Sequence, residues 1–207
     1  MPSHTKEFRR IEETLKKVAA VLRDAEIPFA LGGSLAAWAR GGPASSKDLD
    51  FMIREQDLDR VLAVLAGAGL RTERPPEGWL AKAWDGDVMV DLIHHALGVP
   101  ITDEVLDRAE SMGVLSLTMR VLSLEDLLSS KLLALNEHLL DYEPILMIAR
   151  AVREQVDWQE VRARTAQSPY ARAFFALMDE LDLDTGISET TEAAGPRRTR
   201  IRVVPPT

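Results

Sequence analysis

A mixed α/β amino-terminal half followed by a small helical bundle is the architecture this 207-residue sequence predicts. Two patterns carry that reading. Up to about residue 120, short apolar runs bounded by glycine, proline and aspartate alternate with helical stretches. Beyond it, apolar residues recur at helical spacing until about residue 180. The organisation that follows is a unit over 1–120, a helical subdomain over 121–185 and a disordered tail over 186–207, with no internal repeat.

Each element has its own signal. Phe8, Ile11, Leu15, Val18, Ala19 and Leu22 form one stripe between charged residues, which predicts an amphipathic helix over 6–25. Pro28 stops it, and Phe29, Ala30 and Leu31 make a short buried strand ending at Gly32-Gly33. A short alanine-rich helix starts at Ser34 and closes on glycines and a proline. "DLDFMI" from Asp48 reads as a strand, and the stretch that follows as a helix ending at Gly69. Asp85-Gly86 between two alternating apolar runs predicts a hairpin. Its second strand sets Asp91 on one face with Met89 and Ile93, opposite Val88, Val90 and Leu92. After a short segment around "LTMRVLS", four helices are predicted, in "LEDLLSSKLLALNEHLL", "EPILMIARAVREQ", "DWQEVRARTA" and "PYARAFFALMDEL".

Bulk properties narrow the function classes. With 46% hydrophobic residues the chain can fill one sizeable core or one shared by two lobes. A net charge of −8 argues against a surface built as a whole for nucleic acid, and leaves room for a local basic strip such as "ARAVREQVDWQEVRARTA". The absence of cysteine excludes disulfides and thiolate chemistry, so any metal is held by oxygen or imidazole. No signal-peptide pattern and no run of ~18 apolar residues occur, which reads as a cytoplasmic protein without a membrane partner. Arg197, Arg198, Arg200 and Arg202 lie between prolines in the tail.

Asp48 and Asp50 stand at i and i+2 in a strand and therefore project together, with Asp91 on a later strand. Neighbouring carboxylates repel unless a shared proton or a cation neutralises them. An all-oxygen set suits Mg²⁺ or Mn²⁺ better than Zn²⁺, and such ions act with substrate phosphates. The Gly32-Gly33-Ser34 turn supplies a complementary feature, because glycines admit close approach of backbone N–H groups to an anion and Ser34 adds a donor.

Taken in order, Gly32, Gly33, Ser34, Asp48, Asp50 and Asp91 resemble the motif of the nucleotidyltransferase fold of the DNA polymerase beta-like superfamily. The resemblance implies a nucleotidyltransferase-type mixed sheet flanked by helices and a transferase using an NTP such as ATP. It also implies phosphate binding by Gly32, Gly33 and Ser34, and two Mg²⁺ (or Mn²⁺) ions on the catalytic residues Asp48, Asp50 and Asp91. In that scheme Asp91 helps to activate an acceptor hydroxyl. The segment from Leu122 to Leu146 is similar to one in bacterial minimal, abortive-infection-toxin-like nucleotidyltransferases, with Glu125, Asp126, Lys131 and Asp141 in the matching places. That likeness implies that Lys131 faces the triphosphate and that the protein works in a toxin–antitoxin setting. The acceptor stays open between tRNA or other RNA, a small molecule of antibiotic type and a protein. A silent member that binds nucleotide or a partner protein is a further alternative. Many relatives carry arginine and threonine ahead of the paired aspartates, where this chain has Ala44 and Ser46, with Arg40 or Lys47 as replacements.

Other residues read as structural. His94 and His95, adjacent on a strand, are expected to point to opposite faces, so that at most one reaches the site. Trp38, Trp79, Trp84 and Trp158 are scattered and read as packing residues. Tyr170, Arg172, Phe174 and Phe175 are assigned to packing of the last helix.

Overall fold

The computed structural model describes residues 6–43, 48–96 and 99–183. The amino-terminal stripe forms α1 (Lys6–Asp24), with Ile11, Leu15, Val18, Ala19 and Leu22 buried. β1 (Phe29–Leu31) follows Pro28, and α2 (Gly33–Ala39) starts one residue ahead of Ser34. β2 (Leu49–Ile53) begins after Asp48, and a 3₁₀ turn over Glu55–Asp57 leads into α3 (Leu58–Gly67). β3 (Arg71–Glu73), β4 (Leu80–Asp85) and β5 (Val88–Ile93) come next, β4 and β5 joined by the predicted Asp-Gly turn with Gly86 at φ +67°.

Two short strands, β6 (His95–Ala96) and β7 (Val99–Pro100), pair apart from the main sheet. Beyond them lie α4 (Asp103–Arg108), β8 (Glu110–Val114) and β9 (Leu117–Val121). Among the described residues the main sheet has seven strands in the order β3-β4-β5-β2-β1-β9-β8. It is mixed: β2 runs parallel to β5, and β1 parallel to β9, while the other neighbouring pairs are antiparallel.

Alternation decides which side of the central strands is dry. Val88, Val90 and Leu92 of β5 are buried while Met89, Asp91 and Ile93 are half-buried, as the sequence predicts. α1 packs on β5, α3 packs on β4, and the two helices touch each other. α2 packs on β2 and is contacted in turn by α5 (Leu124–Ala134).

The helical half completes that second layer with α6 (Glu143–Val152), α7 (Trp158–Thr165) and α8 (Pro169–Glu180). Side-chain caps start three of its helices: Ser123 accepts the Asp126 amide, Asp157 the Glu160 amide and Ser168 the Ala171 amide. α5 ends six residues before the predicted limit at Leu140, because Asn136 turns the chain by accepting the His138 and Leu139 amides at 2.9 and 3.1 Å. One hydrophobic cluster runs through both halves, from Ile11 to Leu183.

Three expectations change here. Arg40, offered as a replacement for the missing arginine, is committed to the fold: it donates to the Leu122 and Val121 carbonyls at 2.7 and 3.1 Å and pairs with Glu110. Of the four tryptophans, Trp158 is buried, and Trp84 lies under the Arg71 guanidinium at 3.7 Å. Trp38 and Trp79 are each 36% exposed and do little core packing. Most of the expected basic strip is engaged, since Arg153, Arg162 and Arg164 pair with Glu154, Asp179, and Asp126 and Glu160 respectively, while Arg150 is exposed. Ala44, Ser46, Lys47 and the tail arginines lie outside the described residues.

Candidate functional site

Parallel pairing of β2 and β5 sets Asp50 directly opposite Asp91. Asp48, just ahead of β2, is exposed, whereas Asp50 and Asp91 are half-buried. The hairpin then contributes a residue that the motif does not contain. A two-residue turn at Gly86 fixes the β4–β5 register, which places Lys82 opposite Asp91, and Lys82 Nζ donates to Asp91 Oδ1 at 2.7 Å. Counting back from Asp85-Gly86 in the sequence would have found this pair.

Asp50 is the strained member electrostatically. Burial first, then the charges of Asp91 and Asp48, push its carboxyl up from 3.8 to about 6, against the pull of Lys131 and Lys82. Among the described residues no side chain gives it a hydrogen bond. Lys131 has the mirror-image problem: burial lowers its pKa, and the Asp50 charge opposes that shift. A lysine from the helical half thus shares the electrostatic field of a carboxylate from the sheet.

The glycine turn has a tighter purpose than the sequence predicts. Gly33 adopts φ +61°, and a Cβ there would overlap the Asp50 carboxylate. The Gly32 amide donates to the Asp50 carbonyl at 2.8 Å, and a Cβ on Gly32 would run into the Met52 side chain. These two glycines therefore seat β2 and its carboxylate against the start of α2. Ser34, one residue on, lines a cavity of about 210 Å³ together with Lys131, Glu143 and Met147. Glu143, at the start of α6, was not singled out in the sequence and has no motif that would flag it.

Other residues matched by position have separate duties. Asp126 is bound by Arg108 at 2.8 and 3.1 Å, by Arg164 at 2.8 Å and by the Ser123 hydroxyl at 2.8 Å. Burial would raise its pKa, but the Arg108 and Ser123 hydrogen bonds and the two arginine charges outweigh burial and lower it. Glu125 accepts the Asp157 amide, and exposed Asp141 accepts the Glu143 amide. His94 and His95 do not diverge: β5 ends at Ile93, His94 sits in a bend, and their Nδ1 atoms approach to 3.0 Å. The alternation rule failed there because the strand had already stopped.

With this geometry in place the relationship to known proteins is clear. A family model described as uncharacterised nucleotidyltransferase matches residues 4–180. The chain belongs to this nucleotidyltransferase family. The fold agrees with that of the antibiotic-resistance factor ANT(2'')-Ia. Its solution structure superposes with a TM-score of 0.58 at 16% identity, over 85% of this chain and 98% of that one. Its crystal structure in complex with adenylyl-2''-tobramycin gives 0.56 at 16% identity, over 80% and 97%. No curated protein matches the sequence. This nucleotidyltransferase is an enzyme of a class that generally uses an NTP and divalent metal ions. None of its described helices is long and apolar enough to cross a membrane.

Proposed function

We propose that Asp48, Asp50 and Asp91 are the catalytic, metal-holding carboxylates of a transferase that moves a nucleoside monophosphate from an NTP to a hydroxyl of a small molecule, releasing pyrophosphate. The observation that carries this reading is the pairing of Asp50 with Asp91 in register, with Asp50 held against Gly33 and its carboxylate given no side-chain hydrogen bond among the described residues. An all-oxygen set with excess negative charge fits Mg²⁺ or Mn²⁺, and two such ions would supply charge neutralisation at the attacking and leaving oxygens.

The chain's own residues do the rest. Lys82 holds the Asp91 carboxylate in place, so that Asp91 can take up the proton of the acceptor hydroxyl as the new P–O bond forms. Lys131 and Ser34, which line one cavity, bind phosphate oxygens of the NTP, Lys131 by charge and Ser34 by its hydroxyl. Gly32 and Gly33 serve the site by letting the start of α2 close onto β2. Positioning and charge stabilisation account for the catalysis.

A small acceptor is favoured over RNA by two observations. The net charge is −8, and Arg153, Arg162 and Arg164 of the helical half are engaged by carboxylates. The likeness to ANT(2'')-Ia, which spans nearly all of that protein, supports the same choice. The test is transfer of α-labelled NTP, with Mg²⁺ or Mn²⁺, into the small-molecule, RNA and protein fractions of a cell extract. Label should enter the small-molecule fraction with the wild type and not with Asp50→Asn. Label in RNA would overturn the acceptor class and keep the transferase; equal labelling by Asp50→Asn would overturn the site.

A further inference from the structure

Glu55, His94 and His95 each offer a ligand atom lying within 4.8 Å of the others, away from the paired aspartates. We propose that these three residues form a second metal site, for a borderline transition-metal ion with Zn²⁺ as first candidate, which clamps the ends of β2 and β5 together.

The backbone is built to present both imidazoles on one side. The amides of His94 and His95 both donate to the Trp79 carbonyl, at 3.2 and 3.1 Å, and the His94 carbonyl accepts the Ile101 amide at 2.9 Å. That arrangement ends the β5 ladder and folds two consecutive side chains together, giving the 3.0 Å approach of their Nδ1 atoms. Tetrahedral Zn²⁺ with ordinary Zn–N bonds separates its ligand atoms by ~3.3 Å, so the pair is close to ligand spacing. Glu55 Oε2 lies 3.9 Å from His95 Nε2, the ring nitrogen remote from the Nδ1 pair, and its side chain, 65% exposed, reaches an ion held by the two Nδ1 atoms by swinging inward. Two imidazoles and one carboxylate leave a fourth position for water, and such a set favours Zn²⁺ over Mg²⁺.

The surroundings agree. His94 is 3% exposed, and burial followed by the neighbouring His95 lowers its pKa, which keeps the imidazole neutral and able to coordinate. Glu55 opens onto a cavity of about 320 Å³ also lined by Arg54, Asp103 and Glu104, in which the Arg54 charge is taken up by Asp103. The nearby arginines are engaged: Arg54 by Asp57 and Asp103, and Arg74 by Asp59. His94 lies three positions beyond Asp91, roughly 10 Å at the strand rise, so this site and the carboxylate pair are distinct. Met52 of β2 pairs with Ile93 of β5, so Glu55 and His94 extend from adjacent strand ends, and an ion between them ties the two strands that carry Asp50 and Asp91.

The chelator-stripped full chain should be titrated with Zn²⁺ against a chromophoric competitor, in millimolar Mg²⁺ to occupy oxygen-only sites. One equivalent of Zn²⁺ should bind, with affinity falling about tenfold or more in His95→Ala and in Glu55→Gln, both at partly or largely exposed positions. Asp50→Asn should leave it unchanged. Co²⁺ in place of Zn²⁺ should give the strong visible ligand-field bands of a four-coordinate site, lost in His95→Ala. Unchanged affinity in both Glu55→Gln and His95→Ala, or loss of Zn²⁺ binding in Asp50→Asn, would overturn the proposal.

Discussion

Asp50 and Asp126 are both largely buried carboxylates, and their surroundings differ in what they leave unfinished. Asp126 sits among two arginines and a serine hydroxyl, which together lower its pKa despite burial. Asp50 has carboxylates for neighbours, a glycine against its oxygens and, among the described residues, no hydrogen bond from a side chain, and its pKa rises to about 6. Each arrangement implies a different partner. The charge of Asp126 is satisfied by the chain itself and holds α4, α5 and α7 together, whereas the charge of Asp50 is opposed by Asp91 and Asp48 and, in the proposed mechanism, is neutralised by metal ions.

Breaking that contrast should have its largest effect on turnover. Asp50→Asn and Asp91→Asn are each expected to lower nucleotidyl transfer about a hundredfold or more, read as steady-state product formation at saturating NTP. Asp126→Asn should instead leave turnover per folded molecule within a few-fold of wild type. It should lower stability by about 1–3 kcal/mol, seen as a lower urea midpoint, because two guanidinium groups lose their partner and the partial exposure of Arg108 softens the loss.

The same contrast has a pH signature of opposite sign. Asp50's folded pKa, about 6, lies above its ordinary 3.8, so between those values the folded chain holds a proton that the unfolded chain has lost. Raising the pH through this window therefore destabilises the metal-free fold. Asp50→Asn should then stabilise the metal-free chain at pH 8 by up to about 1–3 kcal/mol, with the gain fading below pH 4. Asp126, with a lowered pKa, contributes stability that is present at neutral pH and lost as the pH falls through its folded value. Urea titrations of the two variants across pH 3–8 that showed the same slope would refute the distinction.

Smaller effects sharpen it further. Gly33→Ala combines a left-handed backbone, a cost of about 1–2 kcal/mol, with overlap of the Asp50 carboxylate, so activity should fall more steeply than the urea midpoint. Lys131→Met should raise the apparent KM for NTP several-fold while making Asp50 harder to ionise, because its closest cationic influence is gone. An unchanged KM would remove Lys131 from the phosphate site.

How far the sequence could be read follows the same division. β2, β5 and the β4–β5 hairpin were legible because alternation and an Asp-Gly turn are local signals, whereas the register that sets Asp50 opposite Asp91 is a parallel pairing between strands far apart in sequence and carries no local sign. β3 and β8 were not legible: both are edge strands that stay mostly exposed, so neither shows a clear alternation of buried apolar residues in the sequence. Arg40 carried no local sign of its task, since its carbonyl partners lie 81 and 82 residues away. His94 and His95 were misread because the alternation rule was carried past the strand end, where a bend governs direction. Gly33 was recognised for its place in the turn but not for its contact with Asp50, whose carboxylate a Cβ there would overlap, because that neighbour lies on a separate element, β2.

The most direct test of the account is thermal unfolding of the wild type and Asp50→Asn at pH 8, each with and without Mn²⁺ and ATP. The melting temperature of the wild type should rise with the added metal and nucleotide while that of Asp50→Asn rises much less, because the proposed site then loses the carboxylate at its centre. An equal rise in both proteins would contradict the claim that Asp50 and Asp91 are where the metal and nucleotide meet.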